Sequence, residues 1–394
     1  MPTTLTIARR RTALLLLFFV PGLELASWVS RTPAVRDLLH ASTAEMGLVL
    51  FGLSAGSMTG VLISGALITR FGTRRVITVG VGSVLAGLPL VGIGAWFAQS
   101  VLVAAGLLLI GLGVGGSEVA INIEGADVER ITGRAVLPTL HGFYSLGTVL
   151  GAALGLLLAA AGFPVVWHMI GIAAVSVPAA VVAVRWMGPG IDRDPSPVDG
   201  AAKGRRVWRD SRLLLLGVVI LALALAEGSA NDWLPLIMVD GHGLAPALGS
   251  AVYLGFVAAM AAGRFAGGWF LARFGRAAIL GGSAVVGGAG LAVVVAADNN
   301  LVAGAAVVLW GLGAALGFPV ALSAAADSGP GSTARVSLVA SIGYVAFLAG
   351  PPALGLLGNH YGLRGAMVLV LAFLAVAAAV TPALRAGREL SSTT

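Results

Sequence analysis

Gly65-Ala-Leu-Ile-Thr-Arg-Phe-Gly72 returns as Gly268-Trp-Phe-Leu-Ala-Arg-Phe-Gly275, at an offset of 203 residues. Extending that offset over residues 49–72 gives eight identities in 24 positions, among them Gly52/Gly255, Gly60/Gly263, Arg70/Arg273 and Gly72/Gly275. Each copy joins two long apolar runs at the same place in its half of a 394-residue chain. The repeat predicts a chain built of two related halves. In membrane proteins that plan serves movement of one half against the other.

Composition places the chain in a bilayer. Hydrophobic residues make up 58% and charged residues 10%, with mean hydropathy +0.98, whereas soluble domains carry roughly 25% charged residues. The apolar runs reach the roughly 20 residues a helix needs to cross a membrane. The 57 glycines suit close helix contact in lipid, and Gly52, Gly56, Gly60 and Ser64 form one small-residue ridge. With no cysteine, disulfides and thiolate metal sites are excluded. The net charge of +7 lies in short clusters between apolar runs, not on one basic face, so nucleic acid is not a partner.

Twelve spans are predicted: 12–32, 45–69, 76–97, 101–124, 138–161, 165–186, 212–235, 248–271, 277–297, 301–325, 336–358 and 363–384. A Pro- and Gly-rich polar stretch between the sixth and seventh divides the chain into a bundle at 1–187, a linker at 188–211 and a bundle at 212–394. With the N-terminus inside, twenty of the 24 basic residues fall on cytoplasmic segments and three on outer ones, so both termini are expected in the cytoplasm. Trp28, Trp96, Trp167, Trp233, Trp186, Trp208 and Trp269 are expected at the interfaces; Trp310 does not fit that belt.

The pattern Gly65-x-Leu67-x-x-Arg70-x-Gly72-x-Arg74-Arg75, with Gly268, Arg273 and Gly275 in the second copy, resembles the loop signature of the Major Facilitator Superfamily. The family's aspartate two residues before Phe71 is replaced by Thr69, and in the second half by Ala272, which removes the acid of its cytoplasmic latch. His141-Gly142-Phe143-Tyr144-Ser145-Leu146-Gly147 and Glu227-Gly228-Ser229-Ala230-Asn231-Asp232-Trp233 are similar to the fucose-permease-like and YbjJ-type bacterial inner-membrane branch. The resemblance implies an all-α fold of twelve helices in two pseudo-symmetric six-helix bundles. It also implies a multi-pass monomer of the bacterial cytoplasmic membrane that transports a small molecule by alternating access.

Ionisable side chains in lipid are costly and mark function. Glu24 and Glu227 stand 203 residues apart, on the first helix of each half; they are candidates for proton coupling or substrate binding, against the plainer reading of structural carboxylates. Asp232 and Asn231 near the outer end of the seventh span are rim groups or substrate contacts. Arg264 is the one basic residue inside a span, its counterpart being Val61. It always carries charge, so it either pairs with an interior acid such as Glu227 or snorkels to the interface. Glu118 and Asn122 share one face of the fourth span and with His141 form either an inner gate or a packing network. Glu124, Asp127, Glu129 and Arg130 are expected to follow that span as cytoplasmic salt bridges. His40, His168, His242 and His360 fall in or near outer loops. No spacing points to a metal, a cofactor or an enzyme's nucleophile–base pair. The expectation is a secondary transporter coupled to protons, with an uncoupled facilitator, or a transporter-like sensor, as the alternatives.

Overall fold

The computed structural model describes residues 4–133, 136–188, 210–329 and 332–386, so most of the predicted linker, Trp208 and Arg134 lie outside the described residues. The described residues are almost wholly helical. Helices α1 (Thr4–Val29), α2 (Thr32–Leu39), α3 (Thr43–Phe71), α4 (Thr73–Trp96), α5 (Ser100–Thr132), α6 (Leu137–Ala160) and α7 (Val165–Trp186) come first. They are followed by α8 (Ser211–Leu236) with a π-helical turn at Ile237–Gly241, α9 (Pro246–Phe274), α10 (Arg276–Ala296), α11 (Asn300–Ala314), α12 (Gly317–Ala326) and α13 (Ser332–Ala386). Two compact units emerge, Met1–Ser196 with Ala245–Leu254, and Pro197–Leu244 with Gly255–Thr394.

Eleven continuous segments among the described residues are long and apolar enough to cross a membrane. The last of these, Ala334–Leu384, has 51 residues and would reach roughly 75 Å, more than twice a bilayer core. Gly362, at φ 74° and ψ 158°, breaks it, giving the twelfth membrane-spanning helix. Gly72 (φ 80°, ψ 161°) and Gly275 (φ 73°, ψ 165°) make the same non-helical joint between α3 and α4 and between α9 and α10. Only glycine adopts that backbone without strain, so the repeated glycine of the opening motif is a hinge between consecutive helices.

Three expectations are corrected. The first span ends at Val29, and a short helix, α2, follows it. The fourth span runs on to Thr132, where Gly133 at φ 63° closes it, so Glu124, Asp127, Glu129 and Arg130 sit on the helix rather than after it. The tenth span is two helices, α11 and α12, interrupted at Ala315 and Leu316. Trp28, Trp233 and Trp310 are buried in the protein, at 1%, 0% and 0% exposure.

Close backbone approach holds the first unit together. A Cβ at Gly56 would strike the Leu108 carbonyl of α5, one at Gly60 would lie 2.6 Å from the Gly116 amide, and Gly111 and Gly115 return the contact against Leu53 and Ser57. The small-residue ridge of α3 therefore has α5 as its neighbour. Gly147 and Gly151 of α6 likewise abut the carbonyls of Phe19 and Leu23 on α1. In lipid, where burial of apolar surface gives no net drive, such van der Waals contact is the main cohesive term.

Candidate functional site

The second unit carries an ion pair within its spans. Glu227 stands on α8 and Arg264 on α9; Arg264 Nη2 donates to Glu227 Oε1 at 2.9 Å, with side-chain exposures of 22% and 13%. A second contact explains how the guanidinium is held. Pro319 has no amide hydrogen, so the carbonyl four residues earlier, Ala315, loses its helical donor. Arg264 Nε donates to that carbonyl at 3.3 Å. The break between α11 and α12 is thus part of the arginine's seat. A further clamp fixes α8 beside Glu227: the indole of Trp310, fully buried, donates to the Ala226 carbonyl at 3.1 Å, as does the Ser229 hydroxyl.

Asn231 and Asp232 lie one turn farther along α8, both half-buried. Glu24 occupies different surroundings from its repeat counterpart. It is 2% exposed and lines a small cavity inside the first unit with Pro21, Val84, Ser117 and Ala180. No hydrogen-bond partner meets its Oε1. The equal offset therefore relates the two positions along their helices, but only Glu227 has a cation. Glu118 is exposed and Asn122 half-buried on α5, while the exposed His141 of α6 meets the Phe18 ring edge-on at 4.9 Å.

Charges near helix ends brace each unit internally. Arg10 of α1 binds Glu124 (Nε to Oε2 3.0 Å) and Asp127 (2.7 Å) of α5. Glu124 is fully buried and also accepts from Thr73 at the start of α4. Glu129 accepts the amides of Val136 and Leu137 at 2.6 and 3.0 Å, fixing the entry to α6. In the second unit Arg276 pairs with Asp327, and Arg335 with Asp210 at 2.7 Å. Burial alone would raise the Asp210 pKa, but the Arg335 contact and the amides of Leu213 and Arg212 outweigh it and hold the group below its ordinary value. Within the loop signature, Arg70 lies over the Phe71 ring at 5.2 Å. Thr69, where the family carries an acid, turns back to the Gly65 carbonyl of its own helix. Gly65 and Gly268 have open space where a side chain would stand, and Arg74 and Arg273 fall in the first turn of α4 and the last of α9. No group of three metal-ligating side chains occurs among the described residues.

A membrane-embedded helical chain with glycine-jointed, repeat-related segments and an intramembrane ion pair defines a solute transporter. The family model of the Major Facilitator Superfamily matches residues 13–337, and the chain belongs to that superfamily. It is 31% identical over 373 residues to the uncharacterized transporter y4wD of Sinorhizobium fredii, covering 93% of this chain and 96% of that one. Among solved structures, a variant of the nucleoside transporter NupG superposes with TM-score 0.77 at 12% identity, over 96% of this chain and 99% of that one. The E. coli fucose:proton symporter FucP gives 0.67 at 17%, over 95% and 98%. At such identities these likenesses bear on the fold.

Proposed function

We propose that this transporter moves a small organic solute across a bacterial cytoplasmic membrane by alternating access, coupled to protons through Glu227. The observation that carries the reading is the Glu227–Arg264 pair seated on the Ala315 carbonyl. A carboxylate can be neutralised by a proton, whereas an arginine cannot lose its charge. Protonation of Glu227 would free one guanidinium edge for solute or for a rearranged helix contact, and proton loss would restore the pair. Glu24, enclosed without a cation, is a second titrating carboxylate of the cycle; Asp232 and Asn231 are solute contacts. Glu118, Asn122 and His141 form a polar network beside the path. The arginine asymmetry supports cytoplasmic termini.

The interior has few charges, which favours a neutral or amphipathic solute; a dianion would want more than one interior arginine. Thermal stabilisation of the purified protein against sugars, acids, amino acids and drugs identifies the class, since a ligand that binds the folded state stabilises it. The stabilising solute is then offered to proteoliposomes under an imposed pH gradient. Accumulation driven by the gradient is expected. Equilibration indifferent to the gradient would instead identify a facilitator.

A further inference from the structure

A second buried cation, unused by the ion pair above, lies in the first unit at the corner between α1 and α2. Arg31 is 4% exposed and its Nη2 donates to the carbonyl of Phe163, in the turn between α6 and α7. Its other donors, Nε and Nη1, are buried and meet no acceptor. That turn leads directly into α7, where His168, one turn in, is 2% exposed. Both ring nitrogens of His168 are likewise buried without a partner.

Burial lowers the Arg31 pKa from its ordinary value, yet a guanidinium stays protonated in proteins. The charge is therefore permanent, and no salt bridge joins Arg31 to a carboxylate among the described residues. Asp37, the acid on α2, is exposed and engaged with Arg36 at 2.7 Å. Glu24 is seven residues back along α1, a rise of about 10 Å. The start of α7 adds to the positive field: no side chain caps it, Pro164 being its N-cap residue, and a helix N-terminus favours negative charge. Water would satisfy the donors but leave the charge uncompensated, which is costly in a buried site. A small anion answers both demands.

We propose that the α1–α2 corner of the first unit binds a small monovalent anion of chloride size between the Arg31 guanidinium and the His168 imidazole. His168 in its neutral form offers one N–H to the ion, and Arg31 offers Nε and Nη1. The ion then supplies the counter-charge that ties the corner to the α6–α7 turn.

The test compares melting temperatures of the purified full chain in chloride and in gluconate at equal ionic strength. Melting a few degrees lower in gluconate, with recovery on titrating bromide, is expected. Arg31→Gln should remove the halide dependence. If that variant fails to fold, His168→Asn should weaken the dependence and shift the bromide titration several-fold upward. Bromide-soaked crystals should show an anomalous peak within hydrogen-bond reach of Arg31 Nε and Nη1. Equal melting in both salts, or a bromide-free corner, would overturn the proposal and assign the donors to water. Proton coupling at Glu227 is untouched by either result.

Discussion

Asp210 is the charge whose energetics can be followed from sequence to pH dependence. It caps α8 by accepting the amides of Arg212 and Leu213 at 3.1 and 3.2 Å, and it holds Arg335. Because its folded pKa is depressed, its contribution is fully present above the ordinary aspartate value of about 3.9. That contribution is lost as pH falls through the lower folded value. Asp210→Asn should therefore lower the melting temperature at neutral pH and flatten the acid side of a stability profile; identical profiles for variant and wild type would remove Asp210 from the account. Arg264→Gln leaves Glu227 without its cation, a change that costs about 3–5 kcal/mol when one partner of a buried pair is deleted. Thermal unfolding should register that loss, with the double variant carrying Glu227→Gln recovering part of it. At this scale Arg264 was legible because one cation stood alone inside a span, where it had either to pair with an interior acid such as Glu227 or to snorkel; the structure shows the pair. The unpartnered burial of Arg31 and His168 was not legible, because hydropathy puts both near a predicted loop and says nothing of which donors find acceptors.

Helices and their joints carry the next level. The α3–α5 contact predicts a contrast between two glycines on one helix. Gly56→Ala pushes a Cβ into the Leu108 carbonyl and should destabilise by about 1–3 kcal/mol. Gly65→Ala meets open space and gains about 1 kcal/mol of helix propensity. Melting temperatures of the two variants decide it, and equal losses would contradict the packing argument. The repeat located both glycine joints, since Gly72 and Gly275 stand at matching positions with nearly the same backbone angles. The interruption of the tenth span escaped sequence reading because Ala315 and Leu316 are as apolar as their neighbours. Gly317-Phe318-Pro319 was the available signal, and its consequence, a carbonyl released to Arg264, needs the fold to place α9 beside it. Pro319→Ala restores the amide that Ala315 lacks, so it should weaken the arginine's seat; altered solute binding with retained folding is the expected readout.

For the whole molecule, the membrane-spanning helices and the superfamily were legible because a bilayer forces every span to satisfy its backbone internally and to read as a long apolar run. The cargo was not, because solute contacts are a few polar groups among hundreds of apolar ones and their partners come from different helices. Glu124, Asp127, Glu129 and Arg130 were expected beyond the fourth span; they lie on α5 instead, because that helix runs about two turns past its apolar stretch, and Arg10 binds Glu124 and Asp127 inside the first unit. The central claim is that Glu227 takes up or releases a proton as solute crosses. Its direct measurement is the pH inside substrate-loaded proteoliposomes, read with a trapped dye, when the stabilising solute is added without an imposed gradient. The account predicts a solute-dependent pH change that disappears in Glu227→Gln while solute binding persists. Solute entry with no pH change, unaltered by Glu227→Gln, would contradict it.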